Sequence, residues 1–154
     1  MLEPVIDPQG FWYNRSPMRV RKARETDIPL IVDLARSLDL DYPGMEGDQF
    51  WVAEHEERII GIVGLKSHPD CLELCALGVE PIHRGKSVAR SLVSALMAEA
   101  SGDVHLATVI PGFFKTCGFQ KAWDISETFN EKRRTSWCEG CDTRLCTVMV
   151  RKVS

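Results

Sequence analysis

No run of apolar residues in this chain approaches the roughly 20 positions that a membrane-spanning helix needs, so no membrane partner is expected. The positive surplus that a nucleic-acid backbone calls for is missing too. There are 19 Lys and Arg against 22 Asp and Glu, a net charge of −3 and an isoelectric point near 5.8, so no nucleic-acid partner is expected. Arg15, Arg19, Arg21, Lys22 and Arg24 do gather in one stretch, and a solvated edge strand accounts for them. Residues 1–17 lack the basic segment and apolar core of a secretory leader. The expected compartment is therefore the reducing cytoplasm, where six cysteines do not make a disulfide scaffold. Repeats and low-complexity segments are absent as well. What remains is ordinary globular composition over 154 residues, 44% hydrophobic and 27% charged. That is enough for one domain with its own core.

Residues 1–17 show no clean period and are interrupted by Pro4, Pro8 and Pro17, so they read as an arm. Phe11, Trp12 and Tyr13 would pin it by burial. The domain proper reads as 18–154. It opens on a short strand over 18–23, then a helix over 27–38 started by Thr26 or Asp27, with Ile28, Ile31, Val32, Ala35 and Leu38 on one stripe. A loop over 39–48 carries Pro43, Gly44 and Gly47. Residues 50–54 and 59–65 read as a hairpin. A third strand over 70–79 would put Leu72, Leu74 and Ala76 on one face and Cys71, Glu73, Cys75, Leu77 and Val79 on the other. After Pro81 the chain turns into a helix with an apolar stripe from Val88 to Ala100, stopped by Gly102. A strand over 104–110, a short helix ending at Gly118, and strands over 119–126 and 145–153 complete the order β-α-β-β-β-α-β-α-β-β. This is a mixed α/β class with one strand, turn and long helix at its centre.

That central segment, from Leu77 to Ala89, is the informative one. The free N–H groups of a helix start carry partial positive charge and suit a phosphate. Small residues at 85, 87 and 89 let an anion approach the backbone, and Arg84 and Lys86 add charge. Gly85-Lys86-Ser87 resembles the tail of a Walker A loop, but the glycine that motif needs five positions earlier is Glu80. No G-x-G-x-x-G fingerprint fits either. Arg84-Gly85-Lys86-Ser87-Val88-Ala89 instead resembles the (Gln/Arg)-x-x-Gly-x-(Gly/Ala) signature of the GNAT (GCN5-related) N-acetyltransferases, with Ser87 in place of the middle glycine. Val20 to Pro29 resembles that family's first strand and helix opening. Phe50-Trp51-Val52-Ala53-Glu54 and Ile60-Gly61-Ile62-Val63-Gly64 resemble its next two strands, and Phe113-Phe114-Lys115-Thr116-Cys117-Gly118-Phe119 its late FYxxxGF element.

The resemblance implies the acyl-CoA N-acyltransferase fold: a single domain with a mixed, mostly antiparallel central sheet and helices on both faces. It implies acetyl-CoA as co-substrate and direct transfer of an acetyl group to an amine, a small molecule or amino acid foremost. Backbone groups of Leu77 and Val79 would hold the acetyl and pantetheine part. The amides of Arg84, Gly85, Lys86, Ser87, Val88 and Ala89 would hold the pyrophosphate, with Phe114 also at the cofactor. Such chemistry needs a base, an oxyanion donor and an acid for the leaving thiolate. Glu73, six residues before Val79, is the candidate base; read without the family it is equally a surface glutamate on a half-exposed strand. The family's usual tyrosine falls at Phe114, which has no proton to give, and residues 104–114 contain no asparagine. Either the thiolate leaves without a protein acid or another group substitutes, with Tyr42 and Cys117 as the conceivable ones. Alternatively the domain binds CoA in a regulatory role with little turnover.

Two loops shape the acceptor side in this family. The first carries Asp39, Asp41, Glu46 and Asp48, which suit a cationic amine. The second carries Glu131, Lys132, Arg133 and Arg134, where arginine can pair with a carboxylate. A peptide N-terminus or lysine fits both loops as well, and the resemblance allows a homodimer. Cys138, Cys141 and Cys146 cluster beside the second loop at spacing that zinc can use. No fourth ligand is evident, so a regulatory dithiol or plain thiols stand beside zinc. Cys71, Cys75 and Cys117 read as small core hydrophobes. His55, His68, His83 and His105 form no triad with a serine or cysteine.

Overall fold

A computed structural model of the chain describes residues 4–6, 12–14, 18–85, 87–134 and 146–153. Two short strands, β1 (Pro4–Ile6) and β2 (Trp12–Asn14), pair with each other in a sheet of their own. The other strands are β3 (Arg19–Lys22), β4 (Gln49–His55), β5 (Arg58–Ser67), β6 (Leu72–Val79), β7 (Val104–Thr108), β8 (Gln120–Lys121) and β9 (Thr147–Arg151). They form one sheet in the order β3-β4-β5-β6-β7-β9-β8, antiparallel throughout except where β6 meets β7. Among the described residues four α-helices cover it: α1 (Ile28–Ser37), α2 (Val88–Glu99), α3 (Pro111–Thr116) and α4 (Glu127–Arg134). The expected mixed, mostly antiparallel sheet with helices on both faces is present.

Alternation along the strands divides the core into two layers. Trp51, Ala53, Val63, Leu65, Leu106 and Met149 face Leu92, Leu96 and Phe114 of α2 and α3. On the opposite face, Phe50, Val52 and Ile62 pack under Ile31, Leu34 and Ala35 of α1. At the far end of that same face, Phe129 of α4 is buried with Ala122, Val148 and Val150. So α1 and α4 share one face and leave a gap between them.

Several expectations change. The basic edge strand is solvated at Arg19, Lys22 and Arg24, but Arg21 is not. Its guanidinium donates to Asp27 at 2.7 and 3.2 Å and to Glu54 at 2.8 and 3.1 Å. Asp27 does not cap α1 with its side chain. Its carboxylate accepts from the Arg24 N–H at 2.7 Å and from Arg21, while Pro29 in the first turn of α1 has no N–H to satisfy. The central helix starts at Val88, after the chain passes through left-handed conformations at Gly85 (φ 79°) and Ser87 (φ 64°).

The face assignment on β6 is also overturned. Ile62 pairs with Gly78 and Gly64 with Cys75, so Ala76 and Leu77 together oppose Val63. This β-bulge, with Ala76 at φ 49°, slips the alternation by one. Leu72, Leu74, Leu77 and Val79 consequently face α2, whereas Cys75, Ala76 and Gly78 face α1. Glu73 and Val79 are on opposite faces. Finally, the strand expected over 119–126 shrinks to β8, and the polar connection after it contains α4. That helix has one buried apolar anchor, Phe129, and so shows no period in the sequence.

Candidate active site

β6 and β7 are hydrogen-bonded neighbours only at Leu72↔Val104 and Glu73↔His105. Beyond that pair they diverge, and a cleft of about 770 Å³ opens between them. Leu74, Cys75, Ala76 and Leu77 form one wall, residues 106–110 the other, and the loop over 39–43 closes the α1 side. The bulge turns the backbone at Ala76 and Leu77, so one wall of the cleft is irregular main chain. Gly78 sits tight beneath this loop: a Cβ there would meet the Leu40 side chain and come within 2.8 Å of Leu38.

Past Val79 the chain makes the turn that the sequence singled out. Glu80 to His83 folds as a single 3-10 turn, and Arg84 Nε donates back to the Val79 carbonyl at 3.1 Å. Arg84, Gly85 and Ser87 are exposed, and Lys86 lies outside the described residues. Ser87 precedes α2, whose first turn is tied by the Ser91 N–H and hydroxyl donating to the Ser87 carbonyl at 3.1 and 3.0 Å. Val88 is buried against Gly61, which anchors the helix start on the sheet. The arrangement leaves main-chain N–H groups at a helix N-terminus beside the cleft, the features an anionic phosphate requires. The turn lies beyond the cleft lining proper, which reaches Leu77 on β6. These residues fit a CoA-like ligand: an apolar, bulged wall for its arm, then an exposed turn for its phosphates.

Glu73 sits at the closed end of the cleft and is 4% exposed. Lys132 Nζ, reaching in from α4, donates to both carboxylate oxygens at 2.6 and 2.7 Å. His68 Nε2 stands 2.7 Å from Oε1. A carboxylate only accepts, so Nε2 carries the proton in this contact. Within the sheet Glu73 is flanked by Lys66 on β5 and His105 on β7. The carboxylate is therefore held between two basic side chains, Lys132 and His68. Sequence reasoning identified Glu73 but missed both of its hydrogen-bond partners.

A second polar group stands nearer the loop. Tyr42 hydroxyl donates to Asp48 at 2.5 Å and lies 3.1 Å from Cys75 Sγ, with Lys66 Nζ 5.0 Å from the ring centroid. Burial pushes the Tyr42 phenol well above its ordinary value, and Cys75 and Asp48 add to that shift. Burial likewise pushes the Cys75 thiol up to about 12. Neither group gives up its proton readily. Phe114 is buried at the cleft edge, packed edge-on against Phe113 and Phe119, and offers no proton. Cys117 is buried, its carbonyl accepting from the Arg151 guanidinium at 2.9 Å, while Cys71 and Cys75 are only half-buried. Cys146 lines the cleft; Cys138 and Cys141 lie outside the described residues. Among the described residues, no group of three or more His, Cys, Asp or Glu is placed to hold a metal ion. No described helix is long and apolar enough to cross a membrane.

Residues 46–121 match the family model for the acetyltransferase (GNAT) domain. The chain is 30% identical over 113 residues to N-acetyltransferase 8B of Homo sapiens, covering 64% of this chain and 49% of that protein. It thus spans about half the length of the curated relatives it matches. Its fold superposes on N-acetylglutamate synthase from Neisseria gonorrhoeae, complexed with coenzyme A and N-acetyl-glutamate, with TM-score 0.72 and 21% identity over 91% of this chain and 36% of that one. Rv2747 from Mycobacterium tuberculosis, in complex with CoA and NLQ, gives TM-score 0.65 and 21% identity over 88% of this chain and 99% of the other. At these identities the structural likeness is one of fold.

Proposed function

We propose that the chain, whose residues 46–121 match the GNAT acetyltransferase domain, transfers the acetyl group of acetyl-CoA to the primary amine of a small acceptor, an amino acid foremost. Residues 18–154 are read as the catalytic unit and 1–17 as an arm. The observation that carries this reading is the divergence of β6 from β7, bulged at Ala76 and followed by the left-handed turn into α2.

In this reading the thioester lies along the bulged wall, with main-chain groups of Leu77 and Val79 toward the acetyl and pantetheine part. The turn from Arg84 through Gly85, Lys86, Ser87 and Val88 to Ala89 receives the pyrophosphate. Glu73 takes the proton from the acceptor ammonium. A main-chain N–H aimed at the developing oxyanion supplies the electrostatic part of the catalysis. The cleft holds acid at Glu73, Asp39 and Asp41 and base at Lys66 and Lys132. A zwitterionic amino acid matches that mixture better than a plain polyamine. An amino-acid acceptor also agrees with the N-acetyl-glutamate bound by the Neisseria neighbour.

Thiol release from acetyl-CoA, followed across amino acids, polyamines and peptide N-termini, tests this. Turnover with at least one amino acid is expected, reduced about a hundredfold in Glu73→Gln. A second reading, a CoA-binding regulatory domain, is favoured by the apolar Phe114 at the family's tyrosine position. Tight CoA binding with no thiol release for any acceptor would select it.

A further inference from the structure

Lys132 holds the position on Glu73 that an acceptor ammonium has to take. Its placement is built. Phe129, 2% exposed, anchors α4 among Val148 and Val150, and Lys132 follows three residues later on the same side of the helix. Its ammonium passes 5.7 Å from the Phe129 ring centroid before reaching both oxygens of Glu73. At the helix start, Thr128 is tied to Asp70 through both its N–H and its hydroxyl, which fixes α4 to the turn between β5 and β6. The Lys132 side chain is 23% exposed and lines the cleft, whereas Lys115, Lys121 and Lys152 are exposed.

A primary amine resting on the carboxylate read as the base, in the cleft read as the acetyl-donor site, has the chemistry of a substrate. We propose that Lys132 is itself an acetyl acceptor, modified once per chain by the protein's own acetyl-CoA. The proposal rests on the acetyltransferase reading given above. Glu73 removes one proton from the Lys132 ammonium, and the Nζ lone pair attacks the acetyl carbonyl. The carbon–sulfur bond breaks, and CoA leaves with the electron pair. The second proton lost by nitrogen ends on the thiolate, and the first passes from Glu73 to solvent. The products are Nζ-acetyl-lysine, CoA thiol and one released proton. Acetylation removes the positive charge and leaves Glu73 with His68 as its hydrogen-bond partner.

The test is intact-mass and peptide analysis of the full chain incubated with acetyl-CoA alone. The expected result is addition of one acetyl group, mapped to Lys132, absent in Lys132→Arg and slowed about a hundredfold in Glu73→Gln. A second measurement needs no acetyl donor. Reductive methylation of Lys132 should run several-fold slower than that of exposed Lys115 in the wild type and catch up with it in Glu73→Gln. Acetyl groups spread over surface lysines, or acetylation of Lys132 at the same rate in Glu73→Gln, would overturn the proposal. So would an unmodified Lys132 in a preparation that acetylates small amines; there only the self-acetylation fails. If the chain neither binds CoA nor acetylates any amine, the acetyltransferase reading falls with it.

Discussion

Arg21 closes on Asp27 with two hydrogen bonds, of 2.7 and 3.2 Å, and so ties the edge strand β3 to the start of α1. The Arg21 hydrogen bond, more than any other cause, holds the Asp27 carboxyl below its ordinary value. A depressed folded-state value means that the pair's stability is in place above the ordinary carboxylate range and is lost as pH falls through the folded value. Asp27→Asn should therefore cost about 2–3 kcal/mol at neutral pH, as expected for one removed partner of a buried, hydrogen-bonded pair. Urea titrations down the pH scale should show the wild type and the variant converging in acid. A constant gap would contradict the assignment.

Ser87 adopts φ 64°, a region where a residue with a Cβ is strained by about 1 kcal/mol. Ser87→Gly should raise the melting temperature by about 2–4 °C. It should also bind CoA at least as tightly as the wild type, as measured by calorimetry. Weaker CoA binding would mean that the serine hydroxyl, and not the backbone bend, matters at this turn.

Phe114 lines the cleft at the position where the family carries a proton donor. Phe114→Tyr should raise kcat up to about tenfold, within the range for a positioned acid, while leaving the CoA dissociation constant unchanged. An unchanged kcat would mean that the thiolate leaves without help from this position.

Cys75 is held as a thiol by burial, with a value pushed up to about 12. At pH 8 its alkylation by iodoacetamide should be at least about tenfold slower than that of the same residue in urea-unfolded protein, because the thiolate is the nucleophile. Equal rates would show that Cys75 is neither buried nor shifted in solution.

Much of this was legible from residue order. The turn into α2 was marked by Gly85 and its small neighbours, and Glu73 stood out because a carboxylate on a mostly apolar strand is conspicuous. The face that Leu77 and Val79 occupy, opposite to that of Glu73, was not legible. One extra residue at the Ala76–Leu77 bulge reverses every later side chain, and bulges leave no period of their own. Nor were the partners of Glu73. His68 arrives through a four-residue turn closed by its own N–H to the Cys71 carbonyl at 2.8 Å. Lys132 arrives across 59 positions on a helix with a single apolar anchor. The sequence pattern Ser67-His68-Pro69-Asp70, a turn at the end of a hairpin strand, is the signal that would have placed His68 beside β6.

The seam between β6 and β7 has a mechanical consequence. Four strands on one side and three on the other form two stiff antiparallel plates, stitched by two residue pairs at one end. Rotation about that stitch is the softest deformation available to the sheet, and it changes the gap at the open end most. A ligand that bonds to the main chain of both plates would act as a clasp. Amide hydrogen exchange at Leu106 and Ala107 should then slow on CoA binding, with the outer pairs of β4 and β5 unaffected.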